Sequence, residues 1–360
     1  MIPIGLQIGK GYAKAARGRS QDIVEFPAVA APAPQQEYES EVASGPDRVY
    51  LNGHGPWIVG EPALVFAHQY AATTIDRERY VQTSFQAIAR YALDQLVSAS
   101  EPLYIMTGMP SAWYMDTTTV AGLTEALRDA AARWSGSQVE VVPEAAGVYY
   151  ALLYEHGTLD PQRTRGSVGV IDAGYGDVNM ALFHDGKYVA GESIPGGSVT
   201  ALREIKKQLA QTYRLEFSLL QVDAAVRANG VRLDGDWHPL PDGATTELLK
   251  SLEAIKAAAR TLWPNSGRTL ERVVLGGGGA ARLAAPLRAA FPTLVVPYAT
   301  LPALPPITLN ENMDEWPDAA SIHQYVQQSY QLVSAASPQL IGPRGLAAAA
   351  STKVRMLATV

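Results

Sequence analysis

Short β-branched runs alternate with longer stretches in which apolar residues recur every three or four positions, so the chain reads as strands interleaved with helices. Val168 to Ile171 is an apolar run ending on Asp172, and Val178 to Phe183 resumes the pattern after a turn holding Gly174 and Gly176. Asp185-Gly186 then marks a tight turn. This segment predicts strand, glycine turn and strand, rather than the strand-to-helix turn of a dinucleotide or P-loop site. Between Ile75 and Ala99, residues Tyr80, Phe85, Ile88, Tyr91, Ala92 and Leu96 share one helical face, which predicts an amphipathic helix on a sheet. Further helices are expected near Val120–Trp134, from Glu144 onward, and over Ala201–Tyr213, Leu219–Ala228, Thr245–Leu262, Gly277–Leu287 and Ala319–Val333. Leu103–Thr107, Val139–Val142, Arg272–Leu275 and Leu294–Pro297 read as strands, with short strands across Val49–Glu61. Arg17–Pro34 is expected to be loop or sheet edge, and Asp234–Gly243 loop.

The glycine turn has an echo. Gln7, Gly9 and Gly11 in I-G-L-Q-I-G-K-G-Y-A-K match Asp172, Gly174 and Gly176 at a constant offset of 165 residues. A second pair, Gly108 and Gly276, each closes a buried strand and is offset by 168 residues. Two halves that repeat these features imply duplicated domains with a cleft between them. The expected division is 1–155, with a small subdomain at about 20–75, then 156–333, with a helical insertion at about 200–265. The alanine-rich stretch 334–360, with Pro338 and Pro343 and weak periodicity, is expected to be a flexible tail, the other reading being a docking or assembly segment.

Composition narrows the function classes. The chain has 360 residues, which favours two domains over one. A formal net charge of −6 argues against broad electrostatic binding of nucleic acid, and no direct nucleic-acid contact is expected. Zero cysteines exclude disulfides and thiolate metal sites. With neither a basic segment leading into an apolar run nor ~18 consecutive apolar residues, the expected location is cytoplasmic, without membrane insertion.

Two glycine turns facing one cleft are suited to holding a phosphate chain through backbone amides. Such a site also needs a cation, a carboxylate for Mg²⁺ and a group that orients a water. Lys14, Asp172 and Glu144 are candidates for these roles in turn. Each also has an ordinary explanation: a strand lysine is commonly solvated, and a glutamate in a helix's first turn is favoured by the helix dipole.

The stretches G-L-Q-I-G-K-G-Y-A-K, I-M-T-G-M-P, P-E-A-A-G, V-I-D-A-G-Y-G-D-V-N-M-A-L and V-V-L-G-G-G-G-A, in this order along the chain, resemble the phosphate-1, phosphate-2, connecting-helix and adenosine motifs of the actin/Hsp70/sugar-kinase superfamily. The T-G-M-P turn and the compact helical insertion resemble most the prokaryotic actin-like proteins of the ParM and archaeal type. The resemblance implies an α/β actin-like ATPase fold, with two duplicated RNase H-like domains flanking a nucleotide cleft. It further implies that ATP (or GTP) is bound with Mg²⁺ and slowly hydrolysed, driving assembly of filaments of this chain, in plasmid or DNA segregation through an adaptor protein or in intracellular positioning.

Carried over by position, Gly9, Lys10, Gly11, Tyr12 and Lys14 belong to the first phosphate motif, and Gly174, Tyr175, Gly176 and Asp177 to the second. Gly276, Gly277, Gly278 and Gly279 correspond to the adenosine motif. Asp172 is the Mg²⁺-linked carboxylate, with Gln7 reaching the metal through water, and Glu144 and Asp172 are the catalytic pair. Two departures stand out. The superfamily carries aspartate where this chain has Gln7, and the small residues of its second connecting helix are matched only loosely by Ala319 and Ala320. A small-molecule kinase or a low-turnover nucleotide-binding scaffold of the same fold are the competing readings.

Overall fold

A computed structural model of the chain describes residues 1–18, 22–33, 48–51, 55–65, 77–299 and 330–358. The chain opens with β1 (Ile2–Ile8), β2 (Tyr12–Arg17) and β3 (Ile23–Pro27), and β4 (Ala30–Pro32), β5 (Arg48–Tyr50) and β6 (Pro56–Val59) then form a small separate sheet in the order β4-β6-β5. Helix α1 (Thr83–Leu96), β7 (Leu103–Met109), α2 (Thr117–Ala130), β8 (Gln138–Pro143) and α3 (Glu144–Leu153) follow. The larger sheet of this half has the order β3-β2-β1-β7-β8: antiparallel from β3 to β1, parallel from β1 to β8.

The second half repeats the plan. β9 (Ser167–Ala173), β10 (Asp177–His184) and β11 (Lys187–Pro195) are antiparallel neighbours. Helices α4 (Gly197–Tyr213) and α5 (Leu219–Ala228), the hairpin β12 (Gly230–Leu233) and β13 (Asp236–Pro239), and α6 (Gly243–Leu262) are inserted before β14 (Arg272–Gly276), α7 (Ala280–Ala290) and β15 (Leu294–Val295). The sheet order is β11-β10-β9-β14-β15, with the same senses as in the first half. The offset of 165 residues seen in the sequence is therefore a repeat of topology.

Between the two halves run α3 and a last helix, α8 (Ile341–Ala358), which packs on α3, β1 and β7. Gly147 and Gly345 allow this crossing: a Cβ on Gly345 would lie 1.9 Å from the Gly147 carbonyl oxygen, and one on Gly147 would lie 2.8 Å from that of Gly342. Gly5 likewise faces Pro343 at 2.2 Å from such a Cβ. Pro343 sits in the first turn of α8, where a missing N–H costs no helical hydrogen bond.

The expectation of a flexible tail over 334–360 is thus corrected. Ile341, Leu346 and Ala347 to Ala350 are buried, and a helix whose first ten residues are covered on so much of their circumference has no polar stripe there to announce it. The small residues of the second connecting helix are Gly342 and Gly345, whereas Ala319 and Ala320 lie outside the described residues, as does most of the helix expected over Ala319–Val333. The expected loop at Asp234–Gly243 contains β13, formed by Asp236–Pro239. Arg17–Pro34 supplies β3 as a sheet edge, and the helix expected to start at Ile75 begins as a 3₁₀ turn at Arg77–Val81 before α1.

Candidate functional site

The β1–β2 and β9–β10 turns are closed by the same hydrogen bond. Gly9 N–H donates to Tyr12 O at 2.9 Å, and Gly174 N–H donates to Asp177 O at 2.9 Å. These two amides are consequently committed within their own turns. The turns also interlock. The Lys10 stem lies where a Cβ on Gly176 would come within 2.2 Å of its Cδ, and the Tyr175 ring lies 2.7 Å from the Cβ position of Gly11. Lys10 Nζ crosses to Asp177 Oδ2 at 2.9 Å, so an ion pair with both side chains largely buried joins the halves.

Beneath the turns sits a cluster of carboxylates and amides. Asp172 ends the buried run of β9, and Glu144 begins α3 directly after β8. Gln7 Nε2 donates to both, at 2.9 Å to Glu144 Oε1 and 3.1 Å to Asp172 Oδ2. The remaining Glu144 oxygen accepts from Asn179 Nδ2 at 2.9 Å. Lys14 on β2, the register partner of Gln7 on β1 and of Glu25 on β3, faces the same cleft.

Burial dominates the electrostatics here. It pushes the Glu144 carboxyl up to about 8, with Asp177 and Asp172 adding to the effect and Gln7 and Arg79 opposing it. Burial likewise raises Asp172 to about 6 against the pull of Lys14 and Gln7. Lys14 is lowered by burial, with Glu25, Asp172 and Glu144 working against that shift. Burial therefore opposes ionisation of both carboxyls, and a cation beside them would favour it.

Above it opens a cavity of about 240 Å³, lined by Gln7, Gly9, Lys10, Gly11, Tyr12, Lys14, Glu144, Asp172, Gly174, Tyr175, Gly176 and Asp177. Gly277, Gly278 and Gly279 form its far wall. Gly277 has φ +86°, and its backbone rests against Asp172: a Cβ there would lie 2.4 Å from Oδ1. Gly276 serves a different purpose from the one expected, because it packs on Val148 of α3, 2.7 Å from the position of a Cβ. It belongs to the helix contact, not to the cavity wall.

Several lining residues escaped the sequence reading. Asp223 Oδ2 accepts from Arg227 Nε at 2.9 Å and Tyr12 OH at 3.3 Å, and Arg227 also stacks over the Tyr12 ring at 5.4 Å. Arg282 lies over Tyr330 at 5.3 Å on the same side. The only trace of this group in the sequence is the i,i+4 spacing of Asp223 and Arg227 on α5. Arg79 donates from Nη2 to Ile8 O at 2.7 Å and Gly9 O at 3.1 Å, pinning the first turn from behind.

Residues 5–147 match the family described as the N-terminal domain of actin-like proteins. Among solved structures, an archaeal actin homologue, Ta0583, superposes with a TM-score of 0.68 at 17% identity, covering 98% of this chain and 100% of its own. The chain has the actin-like fold. The same homologue solved as a complex with ADP gives a TM-score of 0.66 at 15% identity over 98% of this actin-like chain and 100% of its own. A 15-stranded ParM filament from Clostridium botulinum gives 0.61 at 15% identity, over 92% and 99%. Comparison with curated protein sequences yields no match. Among the described residues no helix of the actin-like chain is long and apolar enough to cross a membrane.

Proposed function

We propose that this actin-like chain binds ATP or GTP with Mg²⁺ in the cavity between its halves, hydrolyses it slowly, and assembles with copies of itself into filaments. The observation that carries this reading is the pair of matched turns, 165 residues apart, that brings Asp172 and Glu144 onto one Gln7 amide under a cavity walled by Gly277 to Gly279. The ADP complex of Ta0583 and the filament of the clostridial ParM support it by their shared fold.

The donor set fits a nucleotide. With the Gly9 and Gly174 amides closing their turns, the phosphate-facing donors are the amides between them and the Lys10 and Lys14 ammonium groups. Asp172 is the carboxylate that holds the metal's water shell, with Gln7 as an uncharged neighbour. Mg²⁺, when bound, supplies neutralisation of charge on the terminal phosphates. Glu144 orients the attacking water and accepts its proton in its ionised form, which a bound cation favours against the burial that raises its pKa. Replacing the superfamily's charged residue by Gln7 removes one negative charge from the metal site, consistent with slow turnover. Tyr12, Asp223, Arg227, Arg282 and Tyr330, which line the same cavity, would receive the nucleoside. Plasmid or DNA segregation through an adaptor, or positioning of cargo in the cytoplasm, is the role that such filaments would serve.

The test is phosphate release from Mg²⁺·ATP and Mg²⁺·GTP by purified protein. Asp172→Ala is expected to abolish release and weaken Mg²⁺-nucleotide binding, and Glu144→Ala to slow release while leaving binding largely intact. Phosphate release by Asp172→Ala at the parental rate would show that the site lies elsewhere.

A further inference from the structure

Glu144 is held on both oxygens, and the second holder, Asn179, lies within the second glycine motif but has been given no role so far. Asn179 is 1% exposed and projects from β10 on the same face as Asp177. Its orientation admits one assignment. Oδ1 accepts from Ser111 N–H at 3.1 Å and from Ser193 Oγ at 2.6 Å, so Nδ2 must be the atom that donates to Glu144 Oε2 at 2.9 Å. Ser193 Oγ in turn accepts from Ala112 N–H at 3.1 Å, which directs its own hydrogen toward Asn179. A continuous relay therefore runs from the turn after β7, through β11 and β10, to the first residue of α3.

We propose that Asn179 is a positioning residue for hydrolysis, and that the relay Ala112, Ser193, Asn179 fixes the carboxylate plane of Glu144 for the attacking water. The inference rests on the assignment of Glu144 given above. A carboxylate offers about four acceptor positions. Gln7 occupies one on Oε1 and Asn179 one on Oε2, so the carboxylate cannot rotate without breaking a buried hydrogen bond. The remaining acceptor positions are those left for water. Packing alone would be met by an apolar residue, as at the flanking Val178 and Met180 of the same strand. A buried amide with three directed hydrogen bonds is a costlier solution that yields a fixed acceptor.

The test compares Asn179→Leu, Ser193→Ala and Ser193→Thr with the parent, in single-turnover hydrolysis of Mg²⁺·ATP and in equilibrium binding of a non-hydrolysable ATP analogue. Asn179→Leu is expected to slow hydrolysis about 10–100-fold while changing analogue affinity less than about 3-fold, the range typical of residues that orient a reacting group. Ser193→Ala should slow hydrolysis by a smaller factor, and Ser193→Thr, which keeps the hydroxyl, should restore it. Parental hydrolysis by Asn179→Leu overturns the proposal, as does an equal loss of rate and affinity. So does a crystal structure of nucleotide-free Asn179→Leu in which Glu144 keeps its parental rotamer. Should Asn179→Leu fail to fold, the Ser193 pair decides, and a parental rate in Ser193→Ala overturns the relay. Parental hydrolysis by Glu144→Gln is a separate outcome that removes the role of Glu144 itself.

Discussion

Gln7 concentrates the chemistry of the site at the scale of a single residue. One amide nitrogen bridges two buried carboxylates, so the cluster holds together without a metal. Gln7→Asp replaces that donor by a third anion, and desolvated like charges repel. The variant is expected to lose roughly 2 kcal/mol or more of stability without Mg²⁺, and to recover much of it when Mg²⁺ is added, as read by chemical denaturation with and without the ion. Equal stability of the two proteins in EDTA would contradict the bridging role. Glu144 gives a pH dependence of defined sign. Its folded-state pKa is raised, from 4.5 to about 8, so the folded protein holds a proton that the unfolded chain has released. This contribution is fully present below about 4.5 and is lost as pH rises through about 8. The nucleotide-free parent should lose stability over that window more steeply than Glu144→Gln. Superimposable slopes would place the Glu144 titration elsewhere. Asp172, Glu144 and the turn glycines were legible in the sequence because each sits at a strand end or helix start beside a repeated glycine pattern. Asn179 and Asp223 were not, because their roles arise from partners 35 residues away (Glu144) and 211 residues away (Tyr12).

At the scale of elements, the two turns and the two buried helices carry the arrangement. Lys10–Asp177 is a part-buried charge pair, and removing one member leaves the other exposed to the full cost of desolvation. Lys10→Met is expected to speed nucleotide dissociation by an order of magnitude, measured with a fluorescent ADP analogue, since it removes both the cross-turn pair and a phosphate donor. An unchanged dissociation rate would show that the pair does not hold the cradle. The helix crossing is a matter of steric fit. Gly345→Ala places a methyl group 1.9 Å from the Gly147 carbonyl, so α3 and α8 must separate, at an expected cost of about 3 kcal/mol in equilibrium unfolding. A loss below about 0.5 kcal/mol would mean that the helices slide freely. Amphipathic elements such as α1 were readable from periodicity. The covered first part of α8, Ile341 to Ala350, was not, because alanine and glycine on most sides produce no contrast between a wet and a dry face.

On the scale of the molecule, the duplicated sheets were visible in advance through two constant offsets, and the structure converts them into one topology used twice. What the sequence concealed was the packing of α8 against both α3 and the first sheet, far along the chain from either glycine turn. α8 lies across β1, β7 and α3, and its Gly342 packs on the Gln7 side chain that lines the cavity. Filament contacts, by contrast, are surface properties without a local pattern, and they must be read from assembly itself. The decisive measurement is high-speed sedimentation with electron microscopy of the purified protein and Mg²⁺, in the presence of ATP, GTP, a non-hydrolysable analogue or no nucleotide. Filaments that pellet with nucleotide and are absent without it are expected. A protein that binds nucleotide yet stays in the supernatant under every condition would contradict this expectation.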